Sequence, residues 1–292
     1  MKTNVNSLNL PTPTSLPQPQ TSTVEPQTET MEVHKHPHHV TRKKKWTEYF
    51  LEFLMIFFAV TLGFYAENIR ENSSDAGREK EYMRSMIEDL KQDTANCSEV
   101  INKNAAIVRG LDTLVSHLLN PVHDENNVSL IYAYCIKYRY SNPEVHFSER
   151  TMSQLKNNGG LRLVKKSEVS DALSGYDQGI RFCDRQRDQV LHYYGVLDET
   201  ELILFNFGPI KPLWDSLLKT GDVLSMSTPY MVQNLQGKVH LQLTGDGMLK
   251  KYMNGIIYDQ VAIASYNQDL SDQRARAITL IDLIRKKYRL ED

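Results

Sequence analysis

The 292-residue chain is poor in cysteine, lacks the short motifs that mark common reactions, and has no excess of charge of either sign. Each shortage excludes something. Cys97, Cys135 and Cys183 are odd in number, far apart and free of CxxC spacing, so neither a disulfide framework nor a zinc site is indicated, and they read as small buried hydrophobes. The chain has no phosphate loop, no HExxH, no GxSxG and no EF-hand loop, which weighs against the commonest enzyme classes and leaves only constellations assembled from distant residues. With 34 Lys and Arg against 36 Asp and Glu, net charge −2, there is no global basic field to draw nucleic acid, so nucleic acid is not an expected partner. No catalytic residue, cofactor or metal site is assigned.

One long apolar run stands out, in KKKWTEYFLEFLMIFFAVTLGFYAENIRENSS from Lys43 to Ser74. Phe53 to Ala66 carries no charge but is too short to span by itself. Taken from Trp46 to Ala66, a helix rising 1.5 Å per residue covers ~31 Å, close to a hydrocarbon core of ~30 Å. Lys43, Lys44 and Lys45, with Arg42, form a dense basic flank, and Trp46, Tyr49 and Tyr65 fall at the ends, where interfacial aromatic residues belong. The lipid bilayer is therefore an expected partner. The basic flank should stay in the cytoplasm, giving N-in, C-out. The first thirty residues lack an apolar core and the end of the run lacks a small-residue cleavage site, so the segment reads as a signal anchor, not a cleaved signal peptide. In a soluble protein, Phe53 to Phe64 would instead be core.

Around this run the sequence divides into three parts. Residues 1–41 are rich in Pro, Thr, Ser and Gln, a disordered composition; within them the His34 to His39 tract HKHPHH offers imidazoles without a fixed coordination geometry. Residues 42–70 hold the flank and the anchor. Residues 71–292 read as an all-α extracytoplasmic domain, an elongated antiparallel bundle of long heptad-like helices. Apolar residues there recur in steps of four and three: Met83, Ile87, Leu90, Cys97 onward to Leu118; Val169, Leu173, Tyr176, Ile180, Cys183 onward to Leu204; and Leu249, Met253, Ile256, Ile263 onward to Tyr288. A mean step of 3.5 keeps one seam on a partner helix. Ser167 is the expected N-cap of the second helix, shorter helices are expected near Val128–Tyr138 and Ser148–Asn157, and the Asn72–Gly77 stretch should break the first helix. An irregular insert is expected at about 207–247, with a short strand or hairpin over Lys238–Thr244.

Polar residues interrupt the seams. Arg187, Gln260, Asn267 and Arg274, with Asn104 and Glu201, must each find a partner or reach water, because an unpaired buried polar group costs ~1–3 kcal/mol. Arg187, Gln260, Asn267 and Arg274 are the candidate ligand-binding residues, either as a pocket for a polar or anionic ligand or as register control within the bundle. In YAYCIKYRY, Tyr134 and Tyr138 share a helical face, offering either a stacking platform flanked by Lys137 and Arg139 or simple packing. His146, Glu149 and Arg150 in VHFSER form a loose acid–base cluster that reads more simply as a solvated helix cap.

The stretch from Glu48 to Thr94, EYFLEFLMIFFAVTLGFYAENIRENSSDAGREKEYMRSMIEDLKQDT, resembles a group of uncharacterised single-span membrane proteins from Bacteroidota. The segment MSQLKNNGGLRLVKKSEVSDALSGYD, Met152 to Asp177, looks like a segment that follows the helical linker in such proteins. The resemblance implies a bacterial inner-membrane anchor, a cytoplasmic N-terminus and a helical periplasmic domain, and brings no activity or site residues. The expected function is to bind or organise another envelope protein without catalysis, with a homodimer through the seams among its arrangements. The alternative is a periplasmic sensor for a small polar or anionic ligand that signals through a partner.

Overall fold

The steps of four and three become buried stripes. A computed structural model describes residues 45–157, 159–242 and 246–291. Among the described residues the regular structure is helical, without strands: α1 (Trp46–Leu118), α2 (Glu125–Tyr134), α3 (Arg150–Asn157), α4 (Ser167–Leu204), α5 (Lys211–Thr220), α6 (Thr228–Leu235) and α7 (Asp246–Tyr288), with a π-helical turn at Cys135–Arg139 and 3-10 turns at Gly160–Arg162, Gly208–Ile210 and Val223–Ser225. The described residues fall into two separate units, 45–61 and those from 62 onward. The expected disordered tail, its histidine tract, and the flanking Lys43 and Lys44 lie outside the described residues.

In the first unit the opening turns of α1 bury nothing of note. Trp46, Tyr49, Phe53, Met55, Ile56, Phe57 and Phe58 are all more than half exposed. As the core of a soluble protein this run would be covered. The helix contains a window long and apolar enough to cross a membrane by length and composition, and no part of that window is buried.

In the second unit, α1 passes through Asn72–Gly77 without the expected break. The polar side chains that compete with helix elsewhere are turned onto it here: Asn72 Nδ2 donates to the Asn68 carbonyl at 2.8 Å, and Arg78 pairs with Asp75 at 2.5 Å. Packing then begins immediately, at buried Glu79 and Met83, and outweighs a propensity loss of under about 1 kcal/mol per residue.

The long helices meet along two seams each. Tyr288, Asn267 and Gln260 of α7 reach Glu79, Ile101 with Asn104, and Val108 of α1 in that order, so positions rise on one helix as they fall on the other. The same inverse order joins α4 to α7 through Tyr176 with Gln273, Cys183 with Asp269 and Glu201 with Tyr252. Two apolar clusters result. One gathers Met83 to Leu90, Val169 to Tyr176 and Ala277 to Tyr288; the other gathers Cys97 to Leu118, α2 and the far halves of α4 and α7. Between them lies a polar layer in which Tyr176 donates to Asp93 at 2.8 Å and Gln273 donates to the Tyr176 carbonyl at 2.9 Å.

Acidic residues of α1 fasten the connecting segment. Asp93 accepts from the Ser148 amide at 2.7 Å, Asp89 from the Thr151 amide at 3.0 Å and from Arg150 at 2.8 Å, and Glu79 from the Lys165 amide at 2.9 Å. Free amides at the starts of α3 and α4 are thus satisfied from a neighbouring helix, where negative charge also suits the helix dipole. Lys166 stands at the N-cap of α4, and Ser167, expected there, is its first helical residue. The 207–247 insert contains α5 and α6, and among the described residues its expected strand reduces to one antiparallel bridge between Phe205 and Leu241, because the chain on the Phe205 side is helical up to Leu204 and turns again at Gly208; Leu243 and Thr244 lie outside the described residues.

Candidate functional site

The densest buried chemistry in the second unit surrounds Arg139. Asp124 caps α2 by accepting from the Asn127 amide at 2.8 Å. After the ten residues of α2 the helix widens into the π turn, a wider turn of a kind that occurs often at functional sites and re-aims side chains. Tyr134 and Tyr138 stack on one another with centroids 5.6 Å apart, and Tyr138 lies on α1 at Gly110, where any Cβ would strike its ring. That aromatic pair is packing. Arg139, one residue on, turns inward and is 1% exposed.

Its guanidinium meets three acids. Nε lies 2.9 Å from Glu201 Oε1, Nη2 lies 3.2 Å from Asp198, and Nη1 is 4.0 Å from Asp259. Nη2 also donates to the Tyr194 carbonyl, and the guanidinium carbon sits 3.8 Å from the Tyr194 ring centroid. The Nε–H does not point at Glu201 Oε1, so that short approach is a Coulombic pair and not a directed hydrogen bond. Glu201 receives its directed bond from Tyr252 at 3.0 Å, and Tyr252 in turn lies 3.5 Å from Cys135. Asp198 is exposed, whereas Glu201 and Asp259 are at most 1% exposed. One buried cation therefore faces two buried carboxylates.

Burial sets the charges. It raises the Glu201 carboxyl, with Arg139 opposing, and pushes Asp259 up to about 6 against the same arginine. For Arg139 burial works toward neutrality, but Glu201 and Asp259 together outweigh it and hold the guanidinium ionised. An acid whose folded pKa lies above its unfolded value of about 3.9 binds its proton more tightly when folded. Stability from Asp259 is then greatest at low pH and falls between about pH 4 and pH 6. A displacement of about two pH units is worth roughly 3 kcal/mol. Asp259→Asn should remove that part of the pH dependence, so its melting temperature relative to the parent chain rises from pH 4 to pH 7.5; equal differences at both pH values would contradict the assignment.

Beside this cluster is an enclosed cleft of about 10 Å³ lined by Asn104, Arg139, Arg187, Asp259 and Tyr266, among others. Its size admits about one water molecule. Arg139 Nη1, Asp259 Oδ1 and Tyr266 Oη are buried there without a protein hydrogen-bond partner.

The sequence-derived candidates fall in different places. Arg187 lines the cleft, and its donors are taken by Asn142 at 3.3 Å, the Pro143 carbonyl at 3.1 Å and Glu144 at 3.1 Å. Asn267 accepts from Asn104 at 2.9 Å and donates to the Ile101 carbonyl at 3.1 Å, and Gln260 donates to the Val108 carbonyl at 3.0 Å. These amides tie α7 to α1. Arg274 is not among the cleft residues; its Nε is buried without a hydrogen bond, and its charge reaches Cys97. Arg187 and Arg274 thus line no common pocket. Arg150 of VHFSER is spent on Asp89 and Glu88. Of the expected interfacial residues, Lys45, Trp46, Tyr49 and Tyr65 are exposed.

Sequence reasoning places Arg139 only at the flank of a stacking platform and does not reach Asp259. The signal for Asp259 was present, because Tyr252, Asp259, Tyr266, Gln273 and Leu280 recur every seven residues and all are buried. No family model, curated protein or solved structure matches this chain.

Proposed function

We propose that the chain is a membrane-anchored envelope protein whose elongated antiparallel helical bundle binds or organises another protein and performs no catalysis. On this reading Trp46 to Ala66 spans a bacterial inner membrane, the N-terminus is cytoplasmic and residues 71–292 are periplasmic. The observation that carries it is the contrast along α1, where exposed Phe57, Phe58, Leu62 and Phe64 give way to Met83, Leu90 and Ile107, each at most 1% exposed. The first stretch needs an apolar solvent, and the second already has one in the bundle. The resemblance at Glu48–Thr94 and Met152–Asp177 supports the same topology.

Protein binding is favoured over small-ligand sensing by where apolar surface remains. The cleft beside Arg187 has room for about one water, while Phe182, Val196, Leu202, Tyr258 and Val261 stay 40–71% exposed on the long helices. Surface of that kind marks interaction sites. A photo-cross-linking residue at Phe182, Leu202 or Tyr258 of the full chain, activated in native membranes, is expected to yield a polypeptide adduct; adducts with lipid alone, or none, would overturn the reading.

A further inference from the structure

We propose that the outer face shared by α4 and α7 is a self-complementary surface that pairs with the same face of a second copy of this chain about a two-fold axis. The inference rests on the reading of the helical unit as a protein-binding module and does not need the anchor.

One half of the face is concave. A groove of about 800 Å³ runs between the helices, lined by Ala172, Gly175, Gly179, Arg276, Thr279 and Leu283 among others. Gly179 is required by the single chain, since a Cβ there would strike the Gln273 side chain, whose buried Oε1 rests against it without a hydrogen bond. Gly175 is not, because nothing lies within 4 Å of the position its Cβ would take. A glycine inside an exposed helix face costs helix stability, and here the intramolecular fold gains nothing from it. What it preserves is the depth of the groove.

The other half carries a projecting aromatic pair beside a smaller hollow of about 200 Å³ that Gln186 and Gln189 also line. Tyr193 and Tyr258 stack across the two helices with centroids 6.3 Å apart, flanked by Val196 and Val261, and the four are 40–65% exposed. Groove and ridge belong to one stripe, since Ala172, Gly175, Gly179, Phe182, Gln186, Gln189, Tyr193 and Val196 are spaced by alternating threes and fours, the interval of a helix-packing seam. This seam is distinct from the buried one.

The two halves fit each other. The middle of the groove, near Asp177, and the middle of the ridge, near Gly195, are ~27 Å apart along α4. A two-fold axis midway, at Gln186, lays each ridge in the other copy's groove. Charge matches as well as shape. Arg185 and Arg276 line the groove; the Arg185 guanidinium carbon lies 5.7 Å from the Phe182 ring centroid, and neither arginine forms a close ion pair among the described residues. The axis brings Arg276, which lies beside Gly179, to the second copy's Tyr193 and Tyr258, whose faces attract guanidinium, and sets Arg185 close to Asp188 of that copy. Two helices ~10 Å wide over about 30 residues present roughly 900 Å² per chain, which meets the ~800 Å² per partner of a specific dimer.

The test uses full-length protein in native membranes. Cys97, Cys135 and Cys183 are buried, so Gln186→Cys supplies the accessible thiol. Mild oxidation should link Gln186→Cys chains into dimers at least ~10-fold faster than Asp112→Cys, an exposed control on α1. Adding Gly175→Leu, which fills the groove and favours helix, should cut that rate at least ~10-fold while far-UV dichroism and the melting temperature are retained. Linking no faster than the control, or linking unaffected by Gly175→Leu, would overturn the proposal. A Gln186→Cys adduct to a different polypeptide alone would also overturn self-association while leaving the protein-binding reading intact.

Discussion

Arg139→Leu is expected to destabilise the helical unit by about 3–5 kcal/mol, the usual cost of stripping one partner from a buried charge cluster. The substitution leaves Glu201 and Asp259 each buried without a counter-charge, Glu201 fully and Asp259 at 1% exposure. It also frees the Tyr194 carbonyl that the guanidinium satisfies. Lysine should restore only part of the loss, because one ammonium cannot reach Glu201, Asp198 and the Tyr194 carbonyl as a planar fork does. If charge imbalance is the cause, Glu201→Gln with Asp259→Asn in the Arg139→Leu background should recover most of the stability. Urea unfolding followed by far-UV dichroism measures each variant. A loss below about 1 kcal/mol for Arg139→Leu would mean the cluster is relieved by water and is not held by the arginine.

Placing Ile56→Arg and Val60→Arg together in the apolar run is expected to abolish membrane retention. Both residues lie near the centre of Trp46–Ala66, and each arginine there costs about 2.5–3.5 kcal/mol of insertion free energy. The pair therefore opposes insertion by roughly 5–7 kcal/mol, enough to reverse the partition of a single span. Both side chains are more than half exposed, so the melting temperature of the helical unit should not change. Alkaline carbonate extraction reads the outcome: the parent chain stays in the pellet and the variant moves to the supernatant. Equal partition of the two would show that this run is not what holds the chain to membranes.

Much of the bundle was legible because core packing imposes a simple period. Each of Met83, Leu90, Cys97, Leu173, Leu197, Ile256 and Ile284, read from steps of four and three, is buried. The reading assigned one seam to each helix, however, whereas a helix touching two neighbours needs two. The second seam of α1 carries Glu79, Met86, Asp93, Val100, Ile107 and Leu114, and that of α7 carries Tyr252, Asp259, Tyr266 and Gln273. Their acids look like solvated positions until the amides and arginine they serve are brought together from 50 or more residues away. Arg139 was hidden for a different reason. A π turn shifts the helical phase by a residue, so a side chain that counts as flanking in regular spacing turns into the core. The uninterrupted helix at Asn72–Gly77 shows the opposite failure, in which local propensity argued for a break and tertiary packing prevailed.

The central claim is that the apolar run separates a cytoplasmic tail from a periplasmic helical unit. The most direct measurement is labelling of intact cells with a membrane-impermeant thiol reagent that passes the outer envelope, using Leu218→Cys, a position 82% exposed, and Thr21→Cys in the tail. The account predicts labelling at position 218 before lysis and at position 21 only after it. Labelling of neither position until lysis would contradict it and put the helical unit in the cytoplasm.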